Sequence, residues 1–109
     1  MSETKRGTIA VIFRSRRNGL DDAGYAEAAA AMGALAREQP GYLGIASVRG
    51  ADGEGITISY WADEVAALAW RTNAEHTAIR EMGRARWYDR YEVIVAEVTR
   101  SYGWERTQG

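Results

Sequence analysis

Residues 70 to 91 read WRTNAEHTAIREMGRARWYDRY, and they concentrate the side chains best able to hold or transform a ligand. The stretch contains the single histidine of the chain, His76. It also contains the aromatics Trp70, Trp87, Tyr88 and Tyr91, and the arginines Arg71, Arg80, Arg84, Arg86 and Arg90. An imidazole takes up and returns a proton near neutral pH. Flat aromatic side chains make good walls for a flat apolar ligand. Arginine offers a fixed, always-charged fork suited to carboxylates and aromatic faces. On a helix that starts at Asn73, His76 falls at the edge of an inward stripe made by Ala74 or Ala78, Ile79 and Met82. Gly83 and Trp87 continue down that edge. A mid-helix glycine costs about 1 kcal/mol relative to alanine. Close approach of a ligand to the backbone would explain Gly83. Packing of a bulky neighbour such as Trp87 or Tyr25 explains it more simply, because helix-to-sheet packing often needs a small residue. Five arginines cannot all turn inward, so most are expected on the solvated face.

Composition removes several other chemistries. The chain of 109 residues has no cysteine, which excludes disulfides, thiolate metal sites and cysteine nucleophiles together. One histidine is too few for the usual histidine-based zinc site, and no metal is expected. A formal net charge of -1 carries no nucleic-acid footprint. Serine never stands in a G-x-S-x-G elbow. The glycines of GADGEG lie between two strand-like runs, where a turn, not a phosphate loop, is expected. The acid pairs Asp21–Asp22 and Asp63–Glu64 sit at helix starts, where capping and the helix dipole account for them. No window resembles a membrane span, and the opening MSETKRG leads into no signal-like apolar run, so a cytoplasmic location is expected.

The elements that must position these residues follow from periodicity. TIAVIFRSR reads as a strand with apolar residues on both faces, so both sides should be covered. Asp21 or Asp22 caps an alanine-rich helix to about Glu38, with Tyr25, Ala29, Met32 and Leu35 or Ala36 inward. Its stripe is made of small residues, which predicts close approach to whatever it covers. Pro40 and Gly41 stop it. YLGIASVR and GITISYW form a hairpin around GADGEG. A short helix capped by Asp63 should carry Val65, Leu68 and Ala69 inward and break near Asn73. YEVIVAEVTRSYGW, residues 91–104, reads as the last strand. The order β-α-β-β-α-β is the ferredoxin-like pattern: an α+β fold with a four-stranded antiparallel sheet and helices on one face. One domain is expected across residues 1–109, with a core at about 8–104. The open sheet face is too apolar for water, and a homodimer through the sheet faces would cover it.

PGYLG, ISYWADEVAALAWRTNAEHTAIREMGRARWYDRYEV and VTRSYGW resemble the antibiotic biosynthesis monooxygenase (ABM) domain family. The resemblance covers about residues 8–104. It implies a dimeric α+β barrel with a pocket between helices and sheet that takes a small aromatic, polyphenolic substrate. It also implies oxidation without metal, flavin or haem, so no cofactor is expected. On this resemblance Trp70 walls the pocket and positions the substrate. His76 stands where a polar aromatic would hydrogen-bond it, and Arg90 stabilises an enolate or phenolate. Trp61, Gly83, Trp87, Tyr88 and Tyr25 are the further candidate substrate-binding residues. The expected function is cofactor-independent monooxygenation of a small aromatic or quinol-like compound. A non-catalytic ligand-binding or sensing protein is the alternative. A haem-binding or haem-degrading protein ranks lower, because the first strand lacks that branch's asparagine and His76 follows Trp70 too closely.

Overall fold

The computed structural model describes the backbone of residues 4–80 and 87–107, and the side chains of all of these but 74–80. The elements run in the order β1 (Ile9–Arg17), α1 (Asp22–Arg37), β2 (Tyr42–Arg49), β3 (Glu54–Trp61), α2 (Glu64–Arg80) and β4 (Tyr88–Glu97). The four strands form one antiparallel sheet in the order β2-β3-β1-β4. This is the ferredoxin-like arrangement read from the sequence, with α1 and α2 on one face.

Alternation decides which face is which. Ile9, Val11, Phe13 and Ser15 of β1 share the helix side with Thr57, Ser59 and Trp61 of β3, as their register requires. The core cluster is Ile9, Val11, Ala36, Trp61, Ala67 and Trp70, with Met32, Tyr42, Ile45, Ala66 and Val93 packed against it. Trp61 is fully buried and stacks on Trp70 at 5.5 Å. The opposite sheet face carries Val48, Ile56 and Ile94, all exposed.

The structure corrects three expectations. First, α2 passes through Asn73 without a break. No glycine or proline interrupts it there, and a single asparagine disfavours a helix too weakly to end one. Second, the inward stripe of α2 is Ala66, Ala67 and Trp70, whereas Val65 and Leu68 are exposed. Asp63 does cap this helix, accepting from the Ala66 amide at 2.8 Å. Burial of the much larger Trp70 then sets the phase of the turns that follow. Third, β4 starts at Tyr88 and ends at Glu97, not 91–104. Among the described residues it is an edge strand paired with β1 alone, so pairing stops soon after β1 begins, with Val98 donating to the Thr8 carbonyl. Tyr102 and Trp104 beyond it are exposed.

The start of α1 is built on one residue. Asp21 adopts the left-handed conformation, φ 52° and ψ 55°, which aspartate tolerates better than most residues. Its carboxylate accepts from the Gly24 amide at 3.2 Å and from the Trp87 indole at 3.2 Å. A Cβ on Gly24 would come within 2.2 Å of that carboxylate, so glycine makes room for the cap. Asp21→Ala should therefore lose the cap, the indole bond and a tolerated backbone conformation together, about 2 kcal/mol by denaturant unfolding. Asp21→Asn keeps the backbone preference and the capping oxygen and should lose about half as much. Equal losses would show that the backbone preference and the capping oxygen contribute nothing, leaving the charge and the indole bond to carry the whole effect.

Candidate functional site

A cavity of about 490 Å3 lies between α1, α2 and the helix side of the sheet. Its α1 wall is made of small residues, Ala28, Ala29, Ala30 and Gly33, between Tyr25 at one end and Met32 and Arg37 at the other. The small-residue stripe does not bring α1 close to the sheet, contrary to the sequence expectation. The helix is fixed by larger contacts near its two ends. Ala36 and Met32 join the core at one, and the Asp21 cap with Tyr25 anchors the other. The alanines between them are too short to fill the gap.

The aromatic walls are Phe13, Tyr25, Trp70, Trp87 and Tyr88. Trp70 is 5% exposed and is backed by Trp61, so its ring is held from behind. Trp87 is held by its indole bond to Asp21 and by its carbonyl, which accepts from the Asn18 amide. Tyr25 meets Trp87 and Tyr88 edge to face at 5.9 and 6.0 Å. The geometry favours such rings beyond their burial alone.

At the polar end of the cavity Tyr25 and Tyr88 line it, with two arginines behind them. Arg49 ends β2 on the helix side and donates to the Tyr25 hydroxyl at 3.1 Å and to the Ser15 hydroxyl at 2.8 Å. It also donates to the Ser15 and Gly53 carbonyls, which tie it to β1 and the hairpin turn. The Arg17 guanidinium carbon stands over the Tyr25 ring, 4.1 Å from its centre, and the side chain pairs with Asp22 at 2.7 Å. Tyr88 ionises far above the ordinary tyrosine value. Burial is the main cause, and the charge and hydroxyl of Tyr25 add to it against the weaker pull of Arg49 and Arg17. Tyr88 is thus a neutral phenol, able to donate a hydrogen bond well past neutral pH. Two phenols joined to each other use one hydrogen between them. Arg49 occupies an acceptor site on Tyr25, so one phenolic hydrogen is left for a ligand.

The hydroxyls of Ser47, Thr57 and Ser59 line the cavity floor. Ser47 and Thr57 bond each other across the strands at 2.6 Å. Ser59 accepts from the Trp61 indole at 2.9 Å. Among the described residues no cluster of histidine, aspartate and glutamate could hold a metal ion.

Four of the candidate residues, Trp70, Trp87, Tyr88 and Tyr25, come together on this cavity. Trp61 does not reach it; it is core behind Trp70. Arg90 is a correction. It stands on the other face of the sheet and pairs with Glu54. Plain alternation puts it there, in phase with Ile94 and opposite Arg16; the register shifts only beyond it, where Arg17 faces Tyr88. The extra residue, Asp89, turns Tyr88 to the helix side while Arg90 keeps the phase of Arg16 on the open side. Gly83, the Met82 end of the stripe and the His76 side chain lie outside the described residues. The His76 backbone belongs to α2, after Trp70 and on the same helix.

Sequence reasoning missed Arg49, Ser15 and Arg17. Their signal was present. Arg17 and Arg49 end their strands, and Ser15 lies two residues before the end of its own. Ser15 and Arg49 hold the inward phase of largely apolar rows. A charge or hydroxyl placed inward is expensive unless it has partners there.

Three comparisons bear on this geometry. The model of the antibiotic biosynthesis monooxygenase family matches residues 8–82. An uncharacterized protein of Bacillus subtilis strain 168, YqjZ, is 52% identical over 91 residues, covering 84% of this chain and 79% of its own. The crystal structure of SnoaB, a cofactor-independent oxygenase from Streptomyces nogalater, superposes with a TM-score of 0.65 at 17% identity, over 93% of this chain and 96% of that one. A putative antibiotic biosynthesis monooxygenase from Nitrosomonas europaea gives 0.66 at 12% identity, over 87% and 93%. The structural likenesses concern the fold; the family match and the Bacillus relative concern the sequence. With a strand-helix order, a helix-covered sheet and a sequence match across more than half its length, the chain belongs to the antibiotic biosynthesis monooxygenase family.

Proposed function

We propose that the protein is a cofactor-independent monooxygenase that oxidises a flat aromatic or quinol-like compound in the cavity between α1, α2 and the sheet. The observation that carries this reading is the pairing of aromatic walls with a neutral phenol donor at one end. A ring CH2 conjugated with a carbonyl loses a proton, and the electrons move towards the carbonyl oxygen. The carbanion then combines with O2, and loss of water leaves a new ring carbonyl. One oxygen atom ends in the product and the other in water. Trp70 and Trp87 hold the rings. The Tyr25–Tyr88 pair, steadied by Arg49, donates its free phenolic hydrogen to the oxygen on which negative charge grows. A fixed donor of this kind acts most where charge develops in the transition state. His76, on α2 beyond Trp70, is the proposed base. The SnoaB structure, described as that of a cofactor-independent oxygenase, supports the same reading by fold.

The exposed Val48, Ile56 and Ile94 on the open sheet face support a homodimer formed through that face. Light scattering at micromolar concentration should give twice the chain's 12.0 kDa. Ile56→Lys should return it to monomer, and a wild-type monomer would reject the interface.

Purified protein under air should consume oxygen with anthrone- or quinol-type compounds, without added metal and in the presence of a chelator. Tyr25→Phe should lower kcat by roughly a hundredfold, the usual scale for one lost oxyanion donor. If no such compound reacts faster than in buffer, yet one raises the melting temperature, the protein is a binder and not an oxygenase.

A further inference from the structure

The charge around the cavity is uneven. Among its described lining residues only Arg37 carries a charge. Arg37 lies in the last turn of α1 and is exposed. Among the described residues no hydrogen bond or ion pair engages it. Arg49 and Arg17 differ, since each is bonded to several named partners.

Position adds to the contrast. Tyr25 and Arg37 are both on α1, about 18 Å apart along its axis at 1.5 Å rise per residue. The free cation thus stands at the end of the cavity remote from the phenol donors. Gly33 lies one turn before Arg37 and lines the same cavity. A Cβ built on Gly33 would stand 3.5 Å from a terminal nitrogen of Arg37. The guanidinium therefore folds back over the bare glycine, along the direction that long helical side chains take, instead of extending from the helix end into water. A cation in the last turn also complements the helix dipole. That role needs no such return towards the cavity.

We propose that Arg37 selects substrates that carry an anionic group, a carboxylate or its equivalent, at the end of the ring system opposite the oxygen held by Tyr25 and Tyr88. This rests on the cavity being the substrate site, as argued above. The bound molecule then spans the groove: its reacting carbonyl meets neutral phenols and its acid meets the open guanidinium. The planar fork suits a carboxylate held by two parallel hydrogen bonds. Its exposure keeps the gain moderate and sensitive to salt.

Two probes of matched shape test this, naphthoate and the uncharged naphthalene methanol, titrated calorimetrically into the full chain. The wild type should bind naphthoate about tenfold more tightly, the scale of one hydrogen-bonded charge contact near solvent. Arg37→Gln should abolish that preference and leave the alcohol's affinity unchanged. Arg37→Lys should retain part of it, and added salt should erode it only where a cation remains. A dipole-complementing Arg37 would change melting temperature without altering the preference. If the preference survives in Arg37→Gln, or if the wild type binds both probes equally, the selection is wrong while the cavity remains a ligand site. If neither probe binds the wild type, the cavity reading fails with it.

Discussion

A helix that spans a cavity must be held at both ends, because nothing beneath its middle supports it. In this chain the holding point at the N-terminal end of α1 is Arg49. One guanidinium reaches the Tyr25 hydroxyl on α1, Ser15 on β1 and a carbonyl in the hairpin turn. Each of these groups would be costly to bury alone, and together they satisfy one another. Arg17 reinforces the same corner from the end of β1, with its cation on the Tyr25 ring and its fork on Asp22. At the other end Ala36 enters the core. The cavity exists because these anchors fix the helix while the alanines between them leave space.

The same corner links structure to chemistry. Asp21 starts the helix and steadies Trp87, so the element that roofs the cavity and the residue that walls it share one carboxylate. Burial that makes this end of the cavity rigid also keeps Tyr88 protonated. A neutral donor in a dry setting is what a developing oxyanion needs. Stability and proposed function therefore draw on one set of contacts.

Much of the fold was legible in the sequence. Period-two rows located β1, β2 and β3 nearly to the residue, and turn chemistry located the hairpin, because these signals are local. Element ends decided by a neighbour were not. The C-terminal limit of β4 depends on where β1 begins, and the phase of α2 depends on Trp70 finding Trp61. At the site, Trp70, Trp87, Tyr88 and Tyr25 were recognisable as large aromatics near a pocket. Arg90 was grouped with Tyr88, but the extra residue Asp89 separates the two: Arg90 keeps the open-face phase of Ile94 while Tyr88 turns inward, which alternation alone cannot reveal. Arg49 was overlooked because its importance comes from what three separate segments bring to it.

The central claim is that a flat ligand enters this cavity with an oxygen against the paired phenols. The most direct measurement is a crystal structure of the protein with a tricyclic phenol or quinone bound. The account predicts rings between Trp70 and Trp87 and the ligand oxygen within hydrogen-bond distance of the Tyr25 or Tyr88 hydroxyl. A ligand seated on the open sheet face, or one in the cavity with its oxygen turned away from both tyrosines, would contradict it.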